Sequence, residues 1–285
     1  MSPIEQSIKR KIEEIGTPLK DWNVNIYRGI LTGYNDAFII SGEKRNELLA
    51  ACATEEERIR TDELIRPILR GRDIKRYNYE FADLYIIATF PAKHYDIDDY
   101  PAVKAHLLSY DIERLEQTGK EYTIDGEKIK ARKKTNNQWF ETQDSISYWD
   151  DFNKQKIVWA DLSRSGNSFA YDNNQSIVLN TCYILTASST EILLYLLGVL
   201  NSKVTLFYMD LISSKLDNTG WRWFKQFVEI VPIPTNNTEA FQGIIDSIHA
   251  IIKSGYLPSL ENTINQHIYK AIQLTEEEIK VIEES

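Results

Sequence analysis

The sequence predicts an α+β fold: a mixed, twisted sheet with packed helices, followed by a C-terminal helical hairpin. Short apolar runs rich in β-branched and aromatic residues recur over residues 22–234, as is typical of buried strands. The aromatic share of 11%, with 16 Tyr and 6 Trp, is high for a simple helical bundle and favours extensive sheet or a large recognition surface. Beyond residue 235 the apolar residues follow helical spacing.

A short amphipathic helix is predicted at the start of the chain. Ser2 and Glu5 form a capping-box pattern, and Gly16 and Pro18 are stop signals. We therefore predict a linking helix within residues 1–20. Its apolar face consists of four isoleucines at helical spacing: Ile4, Ile8, Ile12 and Ile15.

Residues 21–235 contain the predicted strands and form the predicted recognition domain. The β-branched and aromatic residues from 22 to 40, punctuated by Gly29 and Gly33, predict two paired strands joined by a tight turn. Three further apolar runs predict buried strands: LYIIATF from Leu84, KIVWA from Lys156 and SIVLNTCYIL from Ser176.

Two capping patterns predict helices inside this domain. Thr54 with Glu57 starts one helix. Ser188 with Glu191 precedes EILLYLLGVLNSKVTLFYM, which we expect to form one mostly apolar helix packed across the sheet.

The last 50 residues or so predict a helical tail over residues 236–285. Pro232 and Pro234, followed by a polar run, mark its boundary. One helix presents an isoleucine-rich face after Phe241, a second follows Pro258, and a third starts at the capping pair of Thr275 and Glu278. We expect the tail to be an antiparallel helical hairpin.

The sequence lacks the signals of a membrane or secreted protein. The longest apolar run, residues 192–200, is shorter than the roughly 18 residues that span a bilayer, and no signal peptide is recognisable. Cys52 and Cys182 form neither a CxxC pair nor a zinc-ligand set. We expect a cytoplasmic protein with reduced thiols and no membrane partner.

No catalytic motif is recognisable. The chain has no Pro-Pro pair for an adenine methyltransferase loop, no Walker-type loop and no GxGxxG turn. Its only Glu-x-Lys on a plausible element, Glu278 with Lys280, suits a solvated helix face, and its four histidines are scattered. We therefore expect no catalytic residue, metal or cofactor in this chain. The alternative is a nuclease or methyltransferase completed by unrecognised residues.

A first basic stretch is predicted to contact DNA phosphates. The net charge of −9 argues against DNA binding, but acidic residues gather near the C-terminus and leave local positive excess elsewhere. In LRGRDIKRY the glycine permits a close backbone turn between two guanidinium groups. The competing interpretation is an internal ion pair of Arg72 or Arg76 with Asp73 or Glu80. The phosphate candidates are Arg70, Arg72, Lys75 and Arg76.

A second stretch joins phosphate-seeking charge to amides that could read base edges. We expect it to form a mobile loop, and the competing interpretation is a solvated linker. Its phosphate candidates are Lys130, Arg132, Lys133 and Lys134, and its base-reading candidates are Asn136, Asn137 and Gln138. A third candidate, Arg222, lies in NTGWRWFKQF, where aromatic residues alternate with charge but at least one tryptophan is expected in the core.

Five segments, in order and with similar spacing, resemble the C-terminal specificity domain of TaqI-type methyltransferases, which also occurs in single-chain type IIG restriction enzymes. They are WNVNIYRGILTGYNDAFII, IRPILRGRDIKRY, KIVWADLS, LLGVLNSKV and VPIP. The ending YKAIQLTEEEIKVIEE resembles the helical tail that often closes those chains. The resemblance covers nearly the whole sequence, and its most distinctive part is the Leu-Arg-Gly-Arg-Asp run.

The resemblance implies a domain that recognises a sequence of double-stranded DNA while a separate, N-terminal methyltransferase domain flips the target base. S-adenosylmethionine and magnesium are then expected only in the associated methyltransferase or endonuclease domain or subunit. The basic motif matches Arg70, Arg72, Lys75 and Arg76, and the RGILTGYN segment matches Arg28, Thr32 and Asn35 as base or groove candidates.

The chain begins about where the family's catalytic domain should have ended. It is therefore expected to be an excised fragment, a naturally split specificity subunit or the remnant of a degraded gene. A further alternative is a protein-interaction subunit that docks a catalytic methyltransferase partner and has little DNA affinity of its own; the charge of −9 favours it.

Overall fold

The computed structural model describes residues 1–213, 220–235 and 237–285. These residues contain twelve α-helices as well as strands, which confirms the predicted α+β class. In chain order they are α1 Pro3–Ile15, α2 Asn35–Phe38, α3 Gly42–Ala50, α4 Glu55–Leu64, α5 Pro101–Leu107, α6 Ile112–Leu115, α7 Thr190–Leu200, α8 Lys203–Ile212, α9 Lys225–Val228, α10 Thr238–Ser254, α11 Pro258–Ala271 and α12 Glu276–Glu284.

The same residues contain fourteen strands, most of them short. In chain order they are β1 Gly16–Pro18, β2 Val24–Arg28, β3 Ile39–Ser41, β4 Ile65–Leu69, β5 Leu84–Ile87, β6 Glu121–Ile124, β7 Glu127–Lys130, β8 Lys156–Ala160, β9 Leu162–Ser163, β10 Phe169–Asp172, β11 Ile177–Val178, β12 Cys182–Ala187, β13 Trp221–Arg222 and β14 Pro232–Pro234.

The strands form two four-stranded sheets instead of the one sheet expected. The first sheet has the order β10-β8-β12-β2 and is antiparallel throughout. The second has the order β11-β4-β5-β3 and is mixed, because β11 runs parallel to β4. Three two-stranded pairings complete the described sheet structure: β1 with β14, β13 with β9, and β6 with β7.

Alternation along the strands places the two sheets face to face. On β8, Ile157 and Trp159 pack among the helices, whereas Val158 packs with Ile68 and Ile86 of the second sheet. The neighbouring residue of β5, Ile87, faces the opposite way and joins a cluster with α2, α3 and α5. The described residues therefore form four layers: helices, first sheet, second sheet, helices.

One hydrophobic cluster connects the two ends of the chain with the first sheet. It includes Ile8 of α1, Leu197 of α7, Ile244 of α10, Ile268 of α11 and Ile282 of α12. The predicted segments 1–20, 21–235 and 236–285 thus contribute to a shared core. The tail does form antiparallel contacts between α10 and α11, and it also packs on α7.

The predicted hairpin over residues 22–40 is wrong. Strand β2 pairs with β12 in the first sheet, while β3 pairs with β5 in the second. Gly29 lies where the chain crosses between the sheets, and its N–H donates to the carbonyl of Cys182 at 2.9 Å. A Cβ there would lie 2.1 Å from the carbonyl oxygen of Leu179, so this glycine permits a close backbone crossing and does not form a hairpin turn.

The predicted single helix after Ser188 is also wrong in two respects. Its cap is Ser189, whose hydroxyl accepts from the N–H of Ile192. The helix ends at Leu200, and α8 begins after Ser202, whose hydroxyl caps it by accepting from Thr205. A serine that caps the second helix thus interrupts a run whose composition alone resembles one helix.

No single helix among the described residues is long and apolar enough to span a membrane, and α7 and α8, bent at 64°, satisfy the length and composition test only when they are taken together.

Other local predictions are confirmed. The capping boxes of Ser2 with Glu5 and of Thr275 with Glu278 are both present, and Thr54 caps α4. The predicted buried strands appear as β5 and β8, and the run from Ser176 forms β11 and β12, which belong to different sheets.

Candidate functional site

A groove of about 630 Å³ lies at the end of the first sheet where β8 ends and β10 and β12 begin. One side is the turn 71–76, which follows β4 and contains the Gly-Arg-Asp segment. The other side is the loop 161–168 between β8 and β10. The floor contains Trp159, Phe169 and Trp223, so polar side chains stand above an aromatic base.

Three exposed cations line this groove. Arg72 and Arg164 are exposed, and neither guanidinium has a hydrogen bond or an ion pair within the described part of the chain. The ammonium of Lys75 donates to the carbonyl of Arg72 at 3.0 Å and lies 3.8 Å from Glu80. These cations are available to an anionic ligand.

The loop that carries Arg164 is anchored on both sides. The buried amide of Asn167 donates to the carbonyls of Leu200 and Ser202, each at 2.8 Å, where α7 meets α8. Strand β9 at the start of the loop pairs with β13. The break between α7 and α8 therefore has a positioning role, because it presents the carbonyls that hold this loop.

The other two arginines of the first basic stretch are engaged internally. Arg70 makes a bidentate pair with Asp73, at 2.9 and 2.7 Å. Burial raises the pKa of Asp73, but the hydrogen bonds from Arg70 outweigh it and hold that pKa below its usual value. The guanidinium of Arg76 bonds to the carbonyl of Asn201 and the carboxylate of Glu261. The prediction that Arg70 and Arg76 are phosphate contacts is corrected, because both guanidinium groups hold the fold together.

One carboxylate, Asp161, lies among the groove cations. Its side chain is 14% exposed and lies 3.8 Å from the guanidinium of Arg28. Burial raises the pKa of Asp161, and the charge of Arg28 opposes the rise. Arg28 itself is largely exposed and donates through Nε to the carbonyl of Asn180. Arg28 thus remains a candidate for DNA contact beside the groove.

The cations of the second basic stretch differ in exposure. Lys130, at the end of β7, and Lys133 and Lys134 are exposed. Arg132 is only 4% exposed, and its guanidinium donates to the carbonyls of Thr32, Leu115, Trp139 and Glu141 at 2.6–2.8 Å. Burial lowers the pKa of Arg132 to about 10. The prediction that Arg132 binds a phosphate is corrected, because its donors are used inside the protein.

The amide groups predicted to read base edges also differ in exposure and in hydrogen bonding. Asn136 and Gln138 are exposed and line a second cavity of about 420 Å³ with His94 and Tyr95. The amide of Asn137 donates to the carbonyl of Gln143 at 3.0 Å and is chiefly structural.

Thr32 is fully buried, and its hydroxyl donates to Asn35, so Thr32 is corrected to a structural residue while Asn35 stays exposed. Arg222 is half-buried on β13, next to the groove-lining Trp223, and its Nε has no partner among the described residues.

Several groove residues were missed from the sequence. The prediction did not include Asp161, Arg164 or the neighbouring serines of DLSRSGNS. A signal was present, since a short Ser- and Gly-rich loop directly after a buried strand, with one arginine between two serines, is typical of a binding loop. Within the described ranges, no three His, Cys, Asp or Glu side chains are grouped so that they could hold a metal ion.

Comparisons with known proteins give one matching family model. A family model described as the TaqI-like C-terminal specificity domain matches residues 66–233, which include both sides of the groove. A search of curated proteins finds no match.

Two solved structures share the fold. The type IIG restriction endonuclease BpuSI is 9% identical with a TM-score of 0.54, over 95% of this chain and 33% of that chain. The type IIL restriction–modification enzyme MmeI, solved in complex with DNA, is 14% identical with a TM-score of 0.53, over 93% of this chain and 35% of that chain. This chain therefore spans about a third of the length of each.

Proposed function

Because the chain belongs to the TaqI-like C-terminal specificity domain family, we propose that it recognises a specific sequence of duplex DNA for a restriction–modification system. The observation that carries the proposal is the groove, which is lined by Arg72 and Arg164 from two different loops, and neither guanidinium has a partner among the described residues. Exposed guanidinium groups without internal partners keep their hydrogen-bond donors available for an anion, and a DNA phosphate is such an anion.

In the proposed mode of binding, Arg72, Lys75 and Arg164 neutralise phosphates and set the register of the duplex. Base edges are read by shorter polar groups within the groove, where Ser163, Ser165 and Thr181 provide hydroxyls. Arg28 and the exposed lysines Lys130, Lys133 and Lys134 remain proposed outer contacts. We also keep four residues as proposed base or groove contacts: Asn35, Asn136, Gln138 and Arg222.

The net charge of −9 has a consequence for this mode of binding. Attraction to DNA comes from a local cluster of cations, because the protein as a whole repels a polyanion. We therefore expect modest non-specific affinity and strong dependence on a few side chains.

We further propose that catalysis belongs to a methyltransferase or endonuclease domain or subunit that works with this chain. The two structural neighbours are about three times as long as the aligned part, which leaves room in such proteins for that chemistry. S-adenosylmethionine and Mg²⁺ would then be required by that partner, and this chain would select the DNA sequence on which the partner acts.

The test is duplex binding as a function of salt. For three neutralised phosphates the plot of log K against log salt should have a slope of about −3. Arg72→Ala and Arg164→Ala should each weaken binding to every duplex and reduce the slope by about 1. The matched control is Arg10→Ala, which removes the same charge from the exposed face of α1. If the groove variants bind DNA as Arg10→Ala does, the groove is not the DNA-binding surface.

A further inference from the structure

Asp161 is the single carboxylate among the described residues that line the groove. Its backbone is fixed, because its N–H donates to Thr181 and its carbonyl accepts from Trp223, each at 2.8 Å. The residue before β12 and the residue after β13 therefore hold Asp161 at one position in the groove. A loop movement that removed it from a bound duplex would break both hydrogen bonds.

A carboxylate at this position weakens binding to phosphates. It is mostly buried, so it is incompletely hydrated, and burial raises its pKa. Its ion pair with Arg28 is long, at 3.8 Å, and the Nε of Arg28 is committed to Asn180. Within the described residues its other hydrogen-bond donors are the backbone N–H groups of Leu162 and of Asp161 itself, and a carboxylate has further lone pairs that can accept from a donor on a ligand.

We propose that Asp161 reads the exocyclic amino group of one cytosine in the major groove, an inference that rests on the proposed function. An ionised carboxylate only accepts hydrogen bonds, so it is repelled by the O6 and N7 of guanine and the O4 of thymine. Adenine also offers an amino group, but the N7 acceptor beside that group would be repelled by a carboxylate. Cytosine presents an amino donor and no acceptor of its own in the major groove, and it suits Asp161 best.

The substitution Asp161→Asn makes the proposal testable with nearly unchanged shape. An amide both donates and accepts, which is the pattern that matches the N6 and N7 of adenine. Duplexes with one randomised site are selected for binding to the full chain, and the bound pool is sequenced. The wild-type chain should select cytosine at one position by at least about fivefold, and Asp161→Asn should shift that position towards adenine.

Two further variants serve as controls. Asp161→Ala should lose the cytosine preference without gaining one for adenine. Asp246→Asn, which removes the same charge from the exposed side of α10, should leave the selected sequence unchanged. Thermal melting of each variant confirms that it is folded during selection.

The possible failures are distinguishable. If Asp161→Asn raises affinity for all duplexes and leaves every base preference intact, Asp161 acts through charge alone and the inference is wrong. If the wild-type chain selects a site whose preferences do not change in either Asp161 variant, the inference is wrong while DNA recognition stands. If the wild-type chain binds no duplex, the proposed function fails and the inference fails with it.

Discussion

Lys156 and Asp172 form an ion pair in the interior of the molecule, opposite each other on β8 and β10. Both side chains are 0% exposed, and Nζ lies 2.6 Å from the carboxylate. The carboxylate of Asp172 also accepts hydrogen bonds from the backbone N–H and hydroxyl of Ser176 and from the hydroxyl of Tyr79. Burial lowers the pKa of Lys156 although Asp172 opposes the change. The pair is well satisfied, so its stability depends on keeping both members.

Removing one member of this buried pair should therefore lower the free energy of unfolding far more than breaking an exposed pair does. We expect Lys156→Met to lower the free energy of unfolding by about 3–5 kcal/mol, because it leaves a buried carboxylate without its counter-charge. Lys44→Met, which breaks the exposed pair with Glu47, should cost much less, because water screens an exposed ion pair. Urea denaturation of both variants measures the difference, and equal losses would contradict this account.

Arg72 and Arg132 show why single residues are hard to assign from sequence. Both lie in basic, glycine- or lysine-rich surroundings, and both were predicted to contact phosphate. The guanidinium of Arg132 donates to carbonyls of three different segments, one of them 100 residues away at Thr32. Whether a guanidinium is free depends on such distant partners, and periodicity does not reveal them.

Contacts between α1 and α12 join the first and last helices. The carboxylate of Glu278 accepts from the ammonium of Lys11 at 2.7 Å and from the hydroxyl of Ser7 at 2.9 Å. Burial raises the pKa of Glu278, but the hydrogen bonds from Lys11, Thr275 and Ser7 outweigh it and hold the pKa below 4.5. The ionised carboxylate is thus the form that docks α12.

This docking predicts a pH dependence. A carboxyl whose pKa is lower in the folded than in the unfolded chain stabilises above the unfolded value, and the stabilisation is lost as the pH falls through the folded pKa. Glu278→Gln should therefore be less stable than wild type at neutral pH, and the gap should close on acidification below 4.5.

Denaturation midpoints measured from neutral to acidic pH give this gap directly. Glu277→Gln, on the exposed side of the same helix, is the matched control and should follow the wild type at every pH. A gap for Glu278→Gln that persists undiminished at acidic pH would show that the contact does not depend on ionisation.

Caps explain why helices such as α1, α4 and α12 were predicted correctly and strand pairing was not. A capping box involves residues three positions apart, so the pattern of Ser2 with Glu5 is complete in the sequence. Strand partners lie far apart: β2 pairs with β12, and β3 with β5. A chain that crosses from one sheet to another at Gly29 has the same local composition as one that turns back on itself.

The shared hydrophobic cluster determines how the whole molecule unfolds. Ile248 of α10 is 0% exposed and belongs to the same cluster as Trp159 of the first sheet. Ile252 on the same helix is 43% exposed. Loss of packing in the tail should therefore reach the sheet, because the two are layers of one core.

We expect Ile248→Ala to destabilise the chain by about 2–5 kcal/mol, against no more than about 0.5 kcal/mol for Ile252→Ala. Tryptophan fluorescence, which senses Trp159, and far-ultraviolet circular dichroism should shift together in Ile248→Ala. If helical signal is lost while the fluorescence transition stays at the wild-type midpoint, the tail folds separately from the sheet.

The sequence by itself determined the α+β class, capped helices such as α1, α4 and α12, several buried strands and the family, because these depend on residue types at short spacing and on segments kept in order. Tertiary structure decided how strands divide between two sheets, which arginines are free, and that Asp161 and Arg164 meet Arg72 in one groove. Those outcomes depend on burial and on partners that are mostly distant in the sequence. A guanidinium becomes a binding group or a structural support according to what the fold places beside it.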